Sequence, residues 1–326
     1  MMVSVIIPAY NAEATIEACV RSVLCQTHTD LEILVINDGS SDATSDKVAD
    51  MAKRDSRVRL IDQENSGVSM ARNCGIKEST GEYLCFIDAD DCVEPEYVEM
   101  LASLSNEGTL PVVGFSINFE DRNALIPFSN EPYKISSNLA TDYFFGPLAK
   151  SISFSACNKM FAKKLLLQKN ILFSPTLKLG EDMEFVFRYL CHCKEIRVSD
   201  RVLYRYCVNE GSATRTASDM IDYYETTFKA LKTLDENGFQ VEENALAGWA
   251  MEAMTYVLMN PYVFCMNYAL FNNYFRSLKG KEIYSCAIRG CVDCGIKRNW
   301  LRCALRSKRG YSTYLLVKLN RLLNRL

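Results

Sequence analysis

The chain has no apolar run approaching the roughly 18 residues that a membrane-crossing helix needs. Its start, Met1-Met-Val-Ser, places no charged segment ahead of an apolar one. Neither a spanning helix nor a secretory leader is therefore expected. Its 14 cysteines include no paired Cys-x-x-Cys units. They are scattered through strand and helix patterns, as reduced and mostly buried thiols of a cytoplasmic protein would be. Cys191-His192-Cys193 and Cys291-x-x-Cys294 could suggest zinc, but neither has the paired spacing of a structural zinc site. The first turn after the first strand pattern lacks G-x-G-x-x-G, which argues against a nicotinamide enzyme. No internal repeat and no low-complexity linker interrupts the sequence. The last stretch, from Ile296 to Leu326, contains no Asp or Glu.

What is present is the composition of a folded protein: 48% hydrophobic and 24% charged residues over 326 positions, close to the average for globular chains. The net charge of −3 is unevenly placed. The acid-free stretch carries nine Lys or Arg, leaving 28 basic against 40 acidic residues elsewhere. An acidic body with a basic tail points to a negatively charged surface as a partner for the tail. Within it, Leu315, Leu319, Leu322, Leu323 and Leu326 form one apolar helical stripe, with Lys318, Arg321 and Arg325 at its edge or opposite. Such a helix, over residues 297–326, can lie on anionic lipid or pack on the protein with its charges in water. Nothing in it resembles a nucleic-acid-binding motif.

Along the first two-thirds of the chain, strand and helix patterns alternate. Val3 to Pro8, Leu31 to Ile36, Val58 to Ile61 and Tyr83 to Ile87 read as short buried strands. Ala12 to Gln26, Ser41 to Arg54 and Val68 to Glu78 read as helices, the second capped by Ser40 or Ser41. Pro95 to Leu104 and Cys157 to Gln168 also read as helical, Pro111 to Phe119 as a strand, and Glu120 to Lys150 as irregular. Gly180-Glu181-Asp182 opens a further helix to about Cys191. The expected fold is α/β with a mostly parallel sheet over residues 1–215. From about residue 216 strand patterns disappear, and a helical region to residue 326 is expected.

In a parallel sheet, ligands gather at the carboxyl ends of the strands. Pro8 to Asn11, Asp38 and Asp88 to Asp91 all fall there. Asp88 and Asp90, two apart at a strand end, point the same way. They suit a divalent cation with oxygen ligands that bridges to a diphosphate, or else form a solvated acidic turn. Asp38 suits contact with a ribose, or an Asx-type turn in Asn37-Asp-Gly-Ser40. Glu181 and Asp182 suit a general base near the metal, or acids that complement a helix dipole.

Together, Val5-Ile-Ile-Pro-Ala-Tyr-Asn11, Gln26-Thr27, Ile36-Asn-Asp-Gly-Ser-Ser-Asp42, Asn65-Ser-Gly-Val-Ser-Met-Ala-Arg-Asn73, Asp88-Ala-Asp-Asp91 and Leu179-Gly-Glu-Asp182 resemble the family 2 inverting glycosyltransferases of the GT-A fold. The resemblance covers about residues 1–215. It implies that Pro8, Ala9, Tyr10 and Asn11 line a nucleotide pocket. Asp38 would contact the base, and Arg72 would lie near the base or phosphate. Asp88, Ala89 and Asp90 would form the DxD element, with Asp90 nearest a Mn²⁺ or Mg²⁺ ion. Asp182 would be the general base, with Lys159, Glu181 and Arg205 on the acceptor side. The chain lacks the Q-x-x-R-W element of processive synthases, which implies addition of one sugar per encounter. The implied activity is inverting transfer from a nucleotide-sugar, a UDP-sugar above all, to a glycan or lipid-linked hydroxyl. This would occur in cell-surface polysaccharide assembly, on the cytoplasmic face of an anionic membrane. The alternatives are a non-catalytic nucleotide-binding partner and a sugar-phosphate nucleotidylyltransferase.

Overall fold

A computed structural model describes residues 1–119, 122–123, 133–134, 155–177, 180–207 and 267–289, with short pieces at 224–225, 228–229, 250, 253–254, 257–258, 313–314 and 317. The chain divides into two compact units. The first comprises Met1–Ser136 and Ala149–Ser212, and the second comprises Ser137–Leu148 and Ala213–Leu326.

The first unit is α/β. Strands β1 (Val3–Ala9), β2 (Leu31–Asp38), β3 (Val58–Gln63) and β4 (Tyr83–Phe86) pair in parallel in the order β3-β2-β1-β4. The short β9 (Phe161–Ala162) closes the far edge antiparallel to β4. Every residue of β1 and β2 is buried, as expected where helices cover both faces of a parallel sheet. Helix α1 (Ile16–Leu24) buries Ile16, Cys19, Val20 and Val23 as one stripe, and α2 is Thr44–Arg54. Helix α3 (Val68–Glu78) lies so close to β1 that Gly75 has no room for a side chain. A Cβ there would sit 2.3 Å from Cγ2 of Ile6.

The turn from Asp88 to Asp91 carries the chain out of this sheet. Strand β5 (Cys92–Val93) belongs to a second sheet, in which β10 (Glu195–Tyr206) pairs antiparallel with β5 and β8 (Tyr133–Lys134) and parallel with β6 (Thr109–Phe119). The two-residue β7 (Arg122–Asn123) completes its edge on β6. Helix α4 (Tyr97–Leu104) lies between β5 and β6 in the chain and buries Tyr97, Val98 and Leu101.

Two sequence expectations are corrected. Cys157 to Gln168 is not one helix: only Lys163–Gln168 (α5) is helical, and Phe161 instead joins the sheet edge. Asn158 breaks the run by adopting a left-handed φ of 57°, held by its Nδ2 donating 2.6 Å to the Val113 carbonyl. Lys159 follows it into the interior and is fully buried. Its ammonium donates 2.8 Å to both Ser155 O and Asn158 Oδ1, so in this structure it does not face an acceptor. The expected serine cap of α2 is also absent. Asp42 accepts the Thr44 N–H at 3.0 Å, and Ser40 and Ser41 turn to the first loop instead.

In the second unit, α7 (Tyr268–Lys279) is capped by Asn267, whose side chain accepts from Leu270 N, and buries Phe271, Phe275 and Leu278. Helix α8 (Glu282–Arg289) presents the N–H groups of Glu282 and Ile283 to the Glu225 carboxylate at 3.2 and 3.1 Å, where an anion complements the helix dipole. Of the basic tail, Thr313 and Val317 are buried, and the Tyr314 ring packs edge-on to Phe271 at 5.3 Å. The leucine stripe and the Cys291-x-x-Cys294 pair lie outside the described residues. Among the described residues, no helix is long and apolar enough to cross a membrane.

Two measurements check this packing. Gly75→Ala should destabilise the fold by up to about 2 kcal/mol in denaturant melts, because an overpacking cost of about 1–3 kcal/mol against Ile6 is offset in part by alanine's helix-propensity gain of about 1 kcal/mol. Burial pushes the Lys159 ammonium down to about 7 from its ordinary 10.5. Between those values the unfolded chain binds the proton that the folded one releases, so this group makes stability rise with pH across that window. Lys159→Met should remove that part of the slope. An unchanged slope from pH 7 to 10.5 would contradict the assignment.

Candidate active site

Three segments meet at the carboxyl ends of β1, β2 and β4. At the end of β1, Pro8 and Ala9 are buried while Tyr10, just beyond it, stands 56% exposed. Asn11 takes a left-handed φ of 48° and is clasped by the second loop. Its N–H donates to Ser40 Oγ at 3.0 Å, and its Oδ1 accepts the Ser41 N–H at 2.9 Å. The first two loops therefore form one rigid ledge with an aromatic ring on top.

Asp38 ends β2 and is 3% exposed. Its Oδ1 accepts from Gln63 Nε2 at 2.7 Å and the Ser66 N–H at 2.9 Å, and its Oδ2 accepts the Gly67 N–H at 2.8 Å. This carboxylate anchors the loop into α3. Gly39 beside it is required: at φ 71° an added Cβ would meet the Asn65 amide nitrogen at 2.8 Å.

The electrostatic centre is Arg72, which α3 projects beneath the site. It is 3% exposed and holds three carboxylates. Nη2 donates to Asp88 Oδ1 at 2.8 Å, while Nη1 reaches Asp182 Oδ1 at 2.5 Å and Glu181 Oε1 at 3.4 Å. The ring of Phe173 lies 5.2 Å from the guanidinium carbon, within cation–π range. Burial alone would weaken this cation, but the carboxylates of Asp182, Asp88 and Glu181 outweigh it and hold its pKa above the ordinary value. The sequence reading put Arg72 against the nucleotide. In the structure its charge is enclosed by acids and does not reach the surface.

Gly180, left-handed at φ 85°, turns the chain into α6 (Glu181–Leu190) and delivers Glu181 and Asp182 in its first turn. The second carboxylate oxygen of Asp182 accepts from Ser155 Oγ at 3.2 Å and the Ala156 N–H at 3.1 Å. Burial, then the negative charge of Asp182, pushes Glu181 up to about 7. Arg205, also expected on the acceptor side, is exposed and pairs with Glu94 at 2.6 Å.

At the end of β4, the Asp88 side chain is 31% exposed, Ala89 is buried and Asp90 is half-buried. Asp91 is buried and accepts from Tyr204 Oη at 2.5 Å and the Cys207 N–H at 2.8 Å. Burial, then repulsion from Asp88, raises its pKa to about 8. The same Tyr204 hydroxyl accepts the Asp88 N–H at 3.4 Å, so β10 holds the acidic turn. A cleft of about 210 Å³ opens here, walled by Asp88, Asp91, Phe115, Ser155, Tyr204 and Tyr206.

Asp88 and Asp90 fit a hard divalent cation by their donor chemistry. They supply carboxylate oxygens at a partly open edge, and Mg²⁺ or Mn²⁺ takes one or two such ligands alongside substrate phosphates. Among the described residues, no three His, Cys, Asp or Glu converge as a protein-only metal cage. Cys191-His192-Cys193 accordingly forms no such group, and Cys193 Sγ donates to the Tyr189 carbonyl.

The sequence reading missed Ser155, Ala156 and Phe173 around the buried guanidinium. Ser155 lies at the end of an aromatic stretch without periodicity, and Phe173 in a loop, so neither carries a pattern that marks it.

A model of glycosyl transferase family 2 matches residues 4–166, half of the chain. The glycosyltransferase EpsJ of Bacillus subtilis (strain 168), itself uncharacterised, is 32% identical over 216 residues. Those residues are 65% of this chain and 63% of EpsJ, so the match spans less than two thirds of that relative's length. S. aureus TarS 1–349 in complex with UDP-GlcNAc superimposes with a TM-score of 0.71 at 20% identity, over 99% of this chain and 92% of that one. The mannosyltransferase PcManGT from Pyrobaculum calidifontis, in complex with GDP-Man and Mn²⁺, aligns with a TM-score of 0.54 at 14% identity, over 99% and 88%. At these identities the two structures speak to fold alone, and that fold is GT-A. The family match and the GT-A architecture converge on one assignment: the chain belongs to glycosyl transferase family 2.

Proposed function

We propose that the chain transfers one sugar per encounter from a UDP-sugar to a hydroxyl of a glycan or lipid-linked acceptor, with inversion at the anomeric carbon. The observation that carries this reading is the sharing of Arg72 between Asp88, on the donor side, and Asp182, at the start of α6. A donor acid and a base acid fixed to one cation are the two groups that a single displacement needs. That TarS is described with UDP-GlcNAc, and PcManGT with GDP-Man and Mn²⁺, supports a nucleotide-sugar donor and a divalent ion.

In this reading the ledge of Pro8 to Asn11 receives the nucleoside, with the exposed Tyr10 ring under the base and Asp38 at its edge. Asp90 and Asp88 hold Mn²⁺ or Mg²⁺, which when bound offsets the charge that develops on the departing diphosphate. Asp182 accepts the proton of the acceptor hydroxyl as that oxygen attacks the anomeric carbon opposite the leaving UDP. One carboxylate suffices as base, because no covalent intermediate is formed and the divalent ion, when bound, would take the place of the acid that an inverting glycosidase uses on its leaving group.

A nucleotide-binding partner without catalysis would bind UDP and release none from a UDP-sugar. A nucleotidylyltransferase would release pyrophosphate in place of UDP. Thermal unfolding with UDP and Mn²⁺ tests the donor site. A ligand at about 100 times its Kd adds about 2.7 kcal/mol to the folded state and raises the midpoint. The shift should require Mn²⁺ and disappear in Asp90→Ala. Asp182→Asn should keep the shift and lose UDP release from UDP-sugar in the presence of acceptor. Loss of the shift in Asp182→Asn would remove it from the role of base.

A further inference from the structure

We propose that Arg72 is a positioning residue. It sets the orientation of the Asp182 carboxylate and ties that orientation to Asp88, so the donor side and the base are held by one planar group. The inference rests on the base role given to Asp182 above.

The geometry is specific to a guanidinium. Its two terminal nitrogens are split between two segments: Nη2 donates to Asp88 at the end of β4, and Nη1 donates to Asp182 at the start of α6. A guanidinium is flat and rigid, so the two carboxylates take up a fixed mutual arrangement. A lysine in its place is a point charge on a flexible stem and imposes no such plane. Burial at 3% exposure keeps bulk water from competing for these bonds, and Phe173 seats the group from one side.

Asp182 is also restrained from its other side. Oδ2 accepts from Ser155 Oγ and the Ala156 N–H, while Oδ1 is held by Arg72. The carboxylate cannot rotate without breaking bonds on both oxygens. Ser155 also walls the cleft that opens beside Asp88, so the restraint on Asp182 begins at the surface where a substrate would lie. Arg72 itself does not line that cleft. Its action on the reaction is therefore indirect, through the acid it holds.

A residue that only stabilised the fold would lower the amount of active protein and leave the turnover of each folded molecule unchanged. A positioning residue lowers kcat in protein that is fully folded. The test compares wild type, Asp182→Asn, Arg72→Lys, Arg72→Ala and Ser155→Ala by UDP release from a UDP-sugar, with parallel thermal melts and titration with UDP and Mn²⁺. A misplaced catalytic group costs about 100-fold in rate, so Arg72→Lys should lose kcat on that scale while the donor KM changes several-fold at most. Ser155→Ala, which leaves Arg72 in place, should lose kcat by a smaller factor with the donor KM unaltered. It carries the test alone if Arg72→Lys does not fold. Restoration towards wild-type kcat by added guanidinium ion in Arg72→Ala, without restoration by urea, would support the same conclusion. Wild-type kcat in folded Arg72→Lys, or in Ser155→Ala where the lysine variant does not fold, would overturn it. So would a loss expressed in KM alone. An active wild type whose Asp182→Asn variant keeps full activity would instead sink the base role itself.

Discussion

A guanidinium in a protein interior is tolerated only if anions surround it, because an uncompensated buried charge costs several kcal/mol. Arg72 imposes that requirement on this fold. Its partners Asp88, Glu181 and Asp182 come from two segments that are remote in the sequence, and all must approach for the charge to be acceptable at 3% exposure. The converse also holds. Three carboxylates gathered at one point would repel one another, and the pKa of Glu181 is raised by burial first and then by the charge of Asp182. Cation and acids make one another possible, and the acidic turn and the start of α6 are fixed in space as a result.

The parallel sheet makes this convergence geometrically cheap. Its strands all end on one edge, so Pro8 to Asn11, Asp38 and Asp88 arrive together without any long loop having to fold back. The turn from Asp88 to Asp91 serves both sheets: β4 precedes it in the first, β5 follows it in the second, and Tyr204 of β10 reaches back to hold it through Asp91 and the Asp88 amide. Each acidic side chain there has a different neighbour and a different task. Asp88 faces the cation, Asp91 is buried as a structural acid, and Asp90 is left at the rim beside them.

Much of this was legible from residue order. The first four strands and α3 follow from apolar runs bounded by turn residues, because those signals are local. What was not legible depends on partners elsewhere in the chain. Glu195–Tyr206 alternates charged and apolar residues and makes sense as a strand only once β6 and β5 lie beside it. Cys157 to Gln168 has the apolar content of a helix, yet the left-handed Asn158 and the pairing of Phe161 with β4 override it. Sequence gives charge without depth, so Arg72 was expected near the base or phosphate and Lys159 on the acceptor side. Burial reversed the meaning of both, making one a clamp for acids and the other a strut bonded to neighbouring main-chain and amide oxygens.

The central claim is that Asp182, held by Arg72, serves a single displacement. The stereochemistry of the product reads this out most directly. With a UDP-sugar whose anomeric bond is α, the one-bond proton–carbon coupling of the newly linked sugar distinguishes the two outcomes by NMR. A β-linkage is the result this account predicts. An α-linkage would require two displacements or a front-face path, and would contradict the role given to Asp182.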